Sequence, residues 1–522
     1  MKTLIYTYKY SLVILIGIIL LASCKGTPEV PTQFQQLDAE ATIFPDYTDI
    51  VIPANIAPLN FMVKDSLCTA VVAQFQGKDN TVVAGSYGSD GKVLIDSIAW
   101  RKLLNDNRGG EIAVNVYVQH DNSWVKYEAH KLTVAQEDID PYLSYRLIEP
   151  GFELYRQLGI YQRNITNFNV HTIYENNRTY EEPNNHCINC HNYQNYSSKN
   201  FLFHVRANHG GTMIIENGKV EKVQLKDSTI ITAGVYPSWH PTLNMIAFST
   251  NKTGQTFHLY HREMIEVIDE ASDLLLYDVS KNEIRHILRT RGQLETFPCW
   301  TPDGKQLYYC SADISDKVDL NQKDSVISAY IVTHYDSIRY DLMRLDFDEK
   351  TLQFSDPQTV IDCAAIGKSV TVPRVSPDGK YVLYTLGDYG QFHIWHKCSD
   401  LWVKNLETGE EYPLTESNSP DIESFHSWSS NGRWFVFSSR RDDGNYSRPY
   451  FAYFDKDGHS HKAFMLPQED PEHSILLLKS YNVPEMTKDA VEISTTDLRS
   501  CIYNTEGEKA KYIRTEASTL KR

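Results

Sequence analysis

The sequence has no surplus of positive charge: 51 Lys and Arg stand against 67 Asp and Glu, for a formal net charge of -16. A nucleic-acid partner, which needs a basic face, is therefore not expected. Beyond Ser11 to Ala22 no stretch is apolar enough for a transmembrane helix, which takes about 20 residues. Common catalytic strings are missing too. There is no Gly-x-Ser-x-Gly elbow, no His-Glu-x-x-His and no phosphate loop. Ser427 beside His426 falls inside a repeat pattern.

What is present begins with a leader. Lys2 and Lys9 precede the apolar run, a charged end and short core that read as a secretory signal. The run ends in Leu21-Ala22-Ser23-Cys24, which resembles the lipobox of bacterial lipoproteins. The resemblance implies cleavage before Cys24 and diacylglycerol on its sulfur. Two or more acyl chains give stable membrane anchoring. Lys25, rather than Asp, follows the cysteine. By analogy with lipoprotein sorting this favours the outer membrane, facing the periplasm or the cell surface.

The 522 residues suffice for two or three domains, and 33 Tyr with Gly- and Pro-punctuated runs point to β-structure. Residues 1–23 read as signal peptide and 24–46 as a polar tether. Residues 47–137 carry short alternating runs such as Ala70–Phe75 and Ile112–Val118 between turn signals, the pattern of a small Ig-like β-sandwich. Residues 138–200, dense in Tyr, Leu and Arg, read as a linker with a short helix and a cofactor-attachment segment. The expected fold class is all-β.

From 201 to 500 the sequence repeats. Tyr236-Pro-Ser-Trp-His-Pro, Phe297-Pro-Cys-Trp-Thr-Pro-Asp-Gly, Val372-Pro-Arg-Val-Ser-Pro-Asp-Gly and Phe425-His-Ser-Trp-Ser-Ser-Asn-Gly each precede an alternating strand. Asp-Gly or Asn-Gly supplies the hairpin turn; Thr242-Leu-Asn departs from it in the first copy. Second strands such as Asp273–Ser280, Asp341–Asp346 and Asp400–Gly409 fall between the copies. Two hairpins per repeat make a four-stranded propeller blade. Gly211–Val223 reads as the outer hairpin of another blade, and Ser474–Leu478 as the start of one more or the closure of the ring. The repeats resemble those of TolB-like propellers, which implies a WD-like ring of five or six blades over about half the chain and says little about function. Residues 501–522 read as a tail.

Between the expected linker and propeller lies His186-Cys187-Ile-Asn-Cys190-His191. Cys-x-x-Cys-His is the c-type haem attachment pattern. Two thiols three positions apart reach the two vinyl groups, and His191 follows as proximal iron ligand. One covalent haem c is expected. His204 is the candidate sixth ligand and Met213 the alternative, which would raise the potential. Arg146 and Arg206 are candidates to pair with haem propionates, or else surface ion pairs. A structural zinc would need a fourth ligand from His186, His204 or His209, and a thioredoxin-like redox pair would need a βαβ context. Cys68, Cys299, Cys310, Cys363, Cys398 and Cys501 are scattered. Outside the cytoplasm they admit disulfides, with Cys299 and Cys310 placed to face each other, or else serve as small hydrophobes.

The order of lipobox, sandwich, haem motif and propeller resembles lipoproteins of Bacteroidota-type bacteria. Three functions follow as alternatives. The first is an outer-membrane cytochrome-like protein for electron transfer or redox sensing, its propeller docking a protein partner. The second is a binding or scaffold propeller with structural haem. The third is an enzyme acting at the haem or the propeller channel; a single Cys-x-x-Cys-His counts against a di-haem peroxidase.

Overall fold

The computed structural model describes residues 29–149, 157–176 and 185–515. The expected signal peptide and Cys24 lie outside them. The described residues are mostly strand and divide into two compact units, those up to 136 with 467–476, and those from 137 to 466 with 477 onward.

The first unit holds a seven-stranded and a three-stranded sheet. Cys68–Gln76 and Glu111–His120 are buried on both faces over Ala70–Ala73 and Val114–Val118, and alternate only toward their ends. Ser97–Asp106, with no counterpart in the sequence reading, is a helix started by Asp96, whose Oδ1 accepts from Ile98 N at 3.1 Å and Ala99 N at 2.8 Å. Phe75 meets Phe61 of the smaller sheet and Trp100 of the helix edge to face, at 6.5 and 5.6 Å. Two boundaries differ from expectation. Gln35–Glu40 and Ile43–Phe44, inside the expected tether, pair as strands of this unit. Residues 467–476 also belong to it, because Asn60 Nδ2 donates to Glu469 O at 2.9 Å and Lys92 pairs with Asp470 and Glu472.

The second unit is a propeller whose described strands fall into six antiparallel groups of four main strands, two of them joined in one ten-stranded sheet; each group is called a sheet below. From the innermost strand outward, sheet 1 is Ser480–Thr487, Tyr142–Ile148, Gly159–Asn164 and Val170–Glu175. Sheet 2 is His186–Gln194, Ser197–Ala207, Gly211–Glu216 and Lys219–Gln224. Sheets 3 and 4 begin at Val235–Trp239 and Gln293–Trp300 and are joined by the single parallel bridge Ser272 to Leu294. Sheets 5 and 6 begin at Ser369–Val375 and Glu423–Trp428. Apolar clusters join each sheet to the next. Ile160 and Ile173 meet Phe203 and Met213 between sheets 1 and 2, and Leu202 and Ile214 meet Phe248 and Leu275 between 2 and 3. Leu276 meets Leu307 between 3 and 4, and Tyr308 meets Val382 between 4 and 5. A strand such as Tyr381–Gly387 is therefore buried on both faces and reads as a continuous apolar run.

The expected turns are in place. Gly304, Gly379 and Gly432 sit at φ of 72°, 74° and 66°. Where the first copy lacks Asp-Gly, His240 Nδ1 closes the turn by accepting from Leu243 N at 2.9 Å. The linker expectation for 138–200 is corrected. Tyr142–Ile148 pairs along its length with Ser480–Thr487, and Cys187 to His191 lie in the innermost strand of sheet 2. The propeller thus starts near residue 142, and Ser480–Thr487, just beyond the expected Ser474–Leu478, completes its first sheet. Within the expected tail, Glu508–Lys509 and Lys511–Tyr512 add parallel strands to the outer edges of sheets 2 and 3.

Candidate functional site

The six innermost strands share one irregularity. Each carries a non-glycine residue in the left-handed region: Cys190, Tyr236, Phe297, Val372, Phe425 and Val483, with φ between 47° and 53°. At each the pairing slips by one residue against the neighbouring strand. These are β-bulges, which bend the strand and re-aim the side chains that follow. The next residue is His191, Pro237, Pro298, Pro373, His426 or Pro484, and the one after is Asn192, Ser238, Cys299, Arg374, Ser427 or Glu485. Cys190-His191 therefore occupies the position of Phe425-His426 and of four residue-proline pairs. The bulge explains where Cys190 and His191 stand, but nothing in it calls for cysteine.

These strands surround a cavity of about 1170 Å³. At four of the six junctions their third-position side chains join neighbouring sheets. Tyr193 N donates to Glu485 Oε1 at 3.1 Å, Trp239 N to Asn192 Oδ1 at 2.9 Å, and Trp300 N to Ser238 Oγ at 3.1 Å. Ser427 Oγ donates to Pro484 O at 2.9 Å. Burial pushes the Glu485 carboxyl up to about 7, although the Tyr193 amide, Arg374 and Asn192 favour its charged form. The lining includes six cationic residues, Arg146, Arg206, Lys226, Lys252, Arg374 and Lys488, and one carboxylate, Glu485.

The residues expected to serve a haem divide. Cys190, His191, Arg146 and Arg206 line this cavity. Arg146 comes from sheet 1 and is fixed by Ile188 O at 3.2 Å and Asn482 Oδ1 at 2.8 Å. His191 is 3% exposed, and neither ring nitrogen makes a hydrogen bond of good geometry, Val483 being the nearest backbone group to favour its charged form. Burial and the Arg146 charge push it down to about 3, so the imidazole is neutral. Cys187 packs against the apolar cluster of sheets 1 and 2, and burial raises its thiol against the pull of Arg146 and Arg206.

Neither expected sixth ligand reaches the cavity lining. Met213 is fully buried in that same cluster. His204 points to the other face of sheet 2, where Nδ1 meets Thr212 Oγ1 at 2.9 Å and the ring lies 5.6 Å from Phe248. The set fits a haem held from one side, by one thiol, one imidazole and two guanidiniums; the second thiol would have to turn out of the core. Among the described residues no group of three or more His, Cys, Asp or Glu is placed to hold a metal ion, so the zinc alternative lacks its ligand set there.

The eight described cysteines are free thiols. Cys299 pairs across with Tyr308 and Cys310 with Thr296, two register positions apart rather than opposite each other. Arg374, Cys299 and Glu485 are site residues that the sequence reading missed. The aligned repeats contained the signal for Arg374 and Cys299, which lie two positions past the bulge; Glu485 lies outside the four aligned copies.

No family model matches the chain, and no curated protein matches it. Among solved structures, prolyl oligopeptidase B from Galerina marginata aligns at 10% identity over 62% of this chain and 44% of its own, with a TM-score of 0.36. The periplasmic gluconolactonase of Pseudomonas aeruginosa aligns at 9% identity over 77% and 97%, with a TM-score of 0.32. The β-propeller domain of the trilobed protease from Pyrococcus furiosus aligns at 9% identity over 77% and 99%, with a TM-score of 0.31. The chain spans less than half the length of the first of these. Such values transfer no substrate or activity, and the propeller assignment rests on the strand pairing given above.

Proposed function

We propose that this chain is an exported, lipid-anchored propeller that binds a small ligand in its central cavity. In this reading the six sheets are blades of one ring, Ser480–Thr487 closes it, and lipid on Cys24 holds the protein at the outer membrane. The observation that carries the reading is a cavity of about 1170 Å³ into which all six innermost strands turn a side chain. Concave, largely preformed sites with a few convergent polar groups are where small molecules bind. The outer surface of the ring is left for a protein partner. The test is a thermal-shift screen of small metabolites against the wild type and the channel-filled variants Ser238→Trp and Ser427→Trp. Stabilising compounds whose effect disappears in the filled variants support the reading. A screen without such compounds, or one whose hits persist in the filled variants, contradicts it.

A second reading is favoured by the His191 imidazole, which lines the cavity and makes no hydrogen bond of good geometry. It is a c-type haem joined through Cys187 and Cys190, with His191 as proximal ligand and Arg146 and Arg206 facing the propionates. Such a group supplies one-electron transfer or redox sensing. His204 and Met213, turned away from the cavity, would leave the sixth position open to a small exogenous ligand. A haem stain that survives denaturation, on protein made with a c-type maturation system, supports this reading; colourless protein from a verified maturation strain contradicts it.

A further inference from the structure

The cavity's charge is opposite to that of the molecule around it. The chain carries a formal net charge of -16, yet six Lys or Arg and a single carboxylate line the cavity. Elsewhere cations are met by acids: Arg441 pairs with Glu423 at 2.9 Å, Lys368 with Asp388 at 2.7 Å, and within the lining Lys252 with Glu270. Among the described residues no carboxylate lies within ion-pair distance of Arg146, Arg206, Lys226, Arg374 or Lys488. Two of these come close together. Arg206 lies opposite Cys187 in the strand pairing, next to Ile188, whose carbonyl accepts from Arg146 at 3.2 Å.

Holding the Arg146 guanidinium in partly apolar surroundings, with the exposed Arg206 on the strand paired with that of Cys187, is costly unless something negative meets it. Arg146 is positioned only by neutral acceptors, Ile188 O and Asn482 Oδ1, so its charge is oriented without being neutralised. Its buried Nε has no hydrogen-bond partner. Phe297, Val372 and Phe425 supply low-dielectric walls, which strengthen the field of the cations.

We propose that the ligand of this cavity is an anion bearing carboxylate or phosphate groups, held by Arg146 and Arg206 at the Cys190 side, with Arg374 as a further cation in the same cavity. This rests on the reading of the cavity as a small-molecule site. Arginine suits the task because its planar fork matches both oxyanions in paired hydrogen bonds.

Cys190 lines the cavity and provides a built-in reporter. The full chain is produced without a haem maturation system and reduced, so that its thiols are free. Its reaction is followed with the dianion 5,5′-dithiobis(2-nitrobenzoate) and with neutral 4,4′-dithiodipyridine. In each case the Cys190 thiolate attacks one sulfur of the reagent, forms a mixed disulfide and releases the other half as a thiolate or its thione tautomer. Peptide mapping identifies the labelled cysteine, and each rate is divided by that of 2-mercaptoethanol.

The expected result is a preference for the dianion of about tenfold or more at low salt. It should shrink toward unity near 1 M salt, where screening acts over about 3 Å. Arg206→Gln and Arg146→Gln should each lower it several-fold. Arg206 is exposed, so its variant keeps the test available if Arg146→Gln does not fold. Millimolar phosphate or citrate should slow the dianion in the wild type more than in the variants. If the neutral reagent labels Cys190 without a dianion preference, or the preference survives Arg206→Gln, the anion proposal falls while the cavity reading stands. If neither reagent labels Cys190, the cavity is closed to solutes and both fall.

Discussion

Cys190 and His191 belong to two patterns at once, the haem attachment string and the innermost-strand bulge of a propeller repeat. The repeat makes a sharp prediction. Four of the five equivalent positions carry proline, namely Pro237, Pro298, Pro373 and Pro484, so the backbone at 191 suits proline and needs no amide donor. His191→Pro should fold and be neutral to slightly stabilised, by up to about 1 kcal/mol through the unfolded state. Urea denaturation measures this; a loss above about 2 kcal/mol would mean that the imidazole holds something the repeat does not. Glu485 gives a second prediction. Its carboxyl is held up to about 7 against an ordinary 4.5, so the native state keeps a proton that the unfolded chain has released. Stability from this group is full below pH 4.5 and is lost as pH rises toward 7. Glu485→Gln should remove about 1–3 kcal/mol of that decline, seen as the difference between variant and wild type at pH 5 and pH 8.

Strand-and-turn elements were the most legible part of the sequence, because their signals are local. Asp303-Gly304, Asp378-Gly379 and Asn431-Gly432 marked their hairpins, and the strands after them follow. The linker assigned to 138–200 failed because the partner that makes Tyr142–Ile148 a strand is Ser480–Thr487, more than three hundred residues later. No local pattern announces such a pairing. The same distance hid Glu485 from the site. The helix Ser97–Asp106 was missed between strands, although Asp96 stands as its N-cap. Asp96→Ala should cost about 1 kcal/mol, read from chemical denaturation. Removing the chain from residue 477 onward should do far more. It would leave the edge of Tyr142–Ile148 unpaired, and the product should appear as aggregate rather than monomer in size-exclusion chromatography.

At the scale of the whole molecule, burial sets a distinctive dependence on pH. His191, His204, His393 and His426 are all pushed down to about 3 by burial. Below about 6.5 the unfolded chain takes up protons that these rings refuse, so stability falls as pH drops. Glu485 and Glu423, both raised to about 7, act in the opposite sense between 4.5 and 7. Four groups outweigh two on the acid side, and the opposing effects balance near 7. Thermal stability should therefore rise from about pH 5 and level off near pH 7. The composition showed an acidic molecule and gave no hint of a cationic interior, since net charge sums over residues that only the fold sorts into inside and outside.

The most direct measurement is native mass spectrometry of the full chain isolated from its own envelope membrane, beside the Ser238→Trp variant made in the same cells. The account predicts a non-covalent adduct on the wild type that is released on denaturation and absent from the filled variant. Bare polypeptide in the wild type, or the same adduct in the variant, would contradict it. An adduct that survives denaturation and disappears in Cys187→Ser with Cys190→Ser would instead establish the covalent haem.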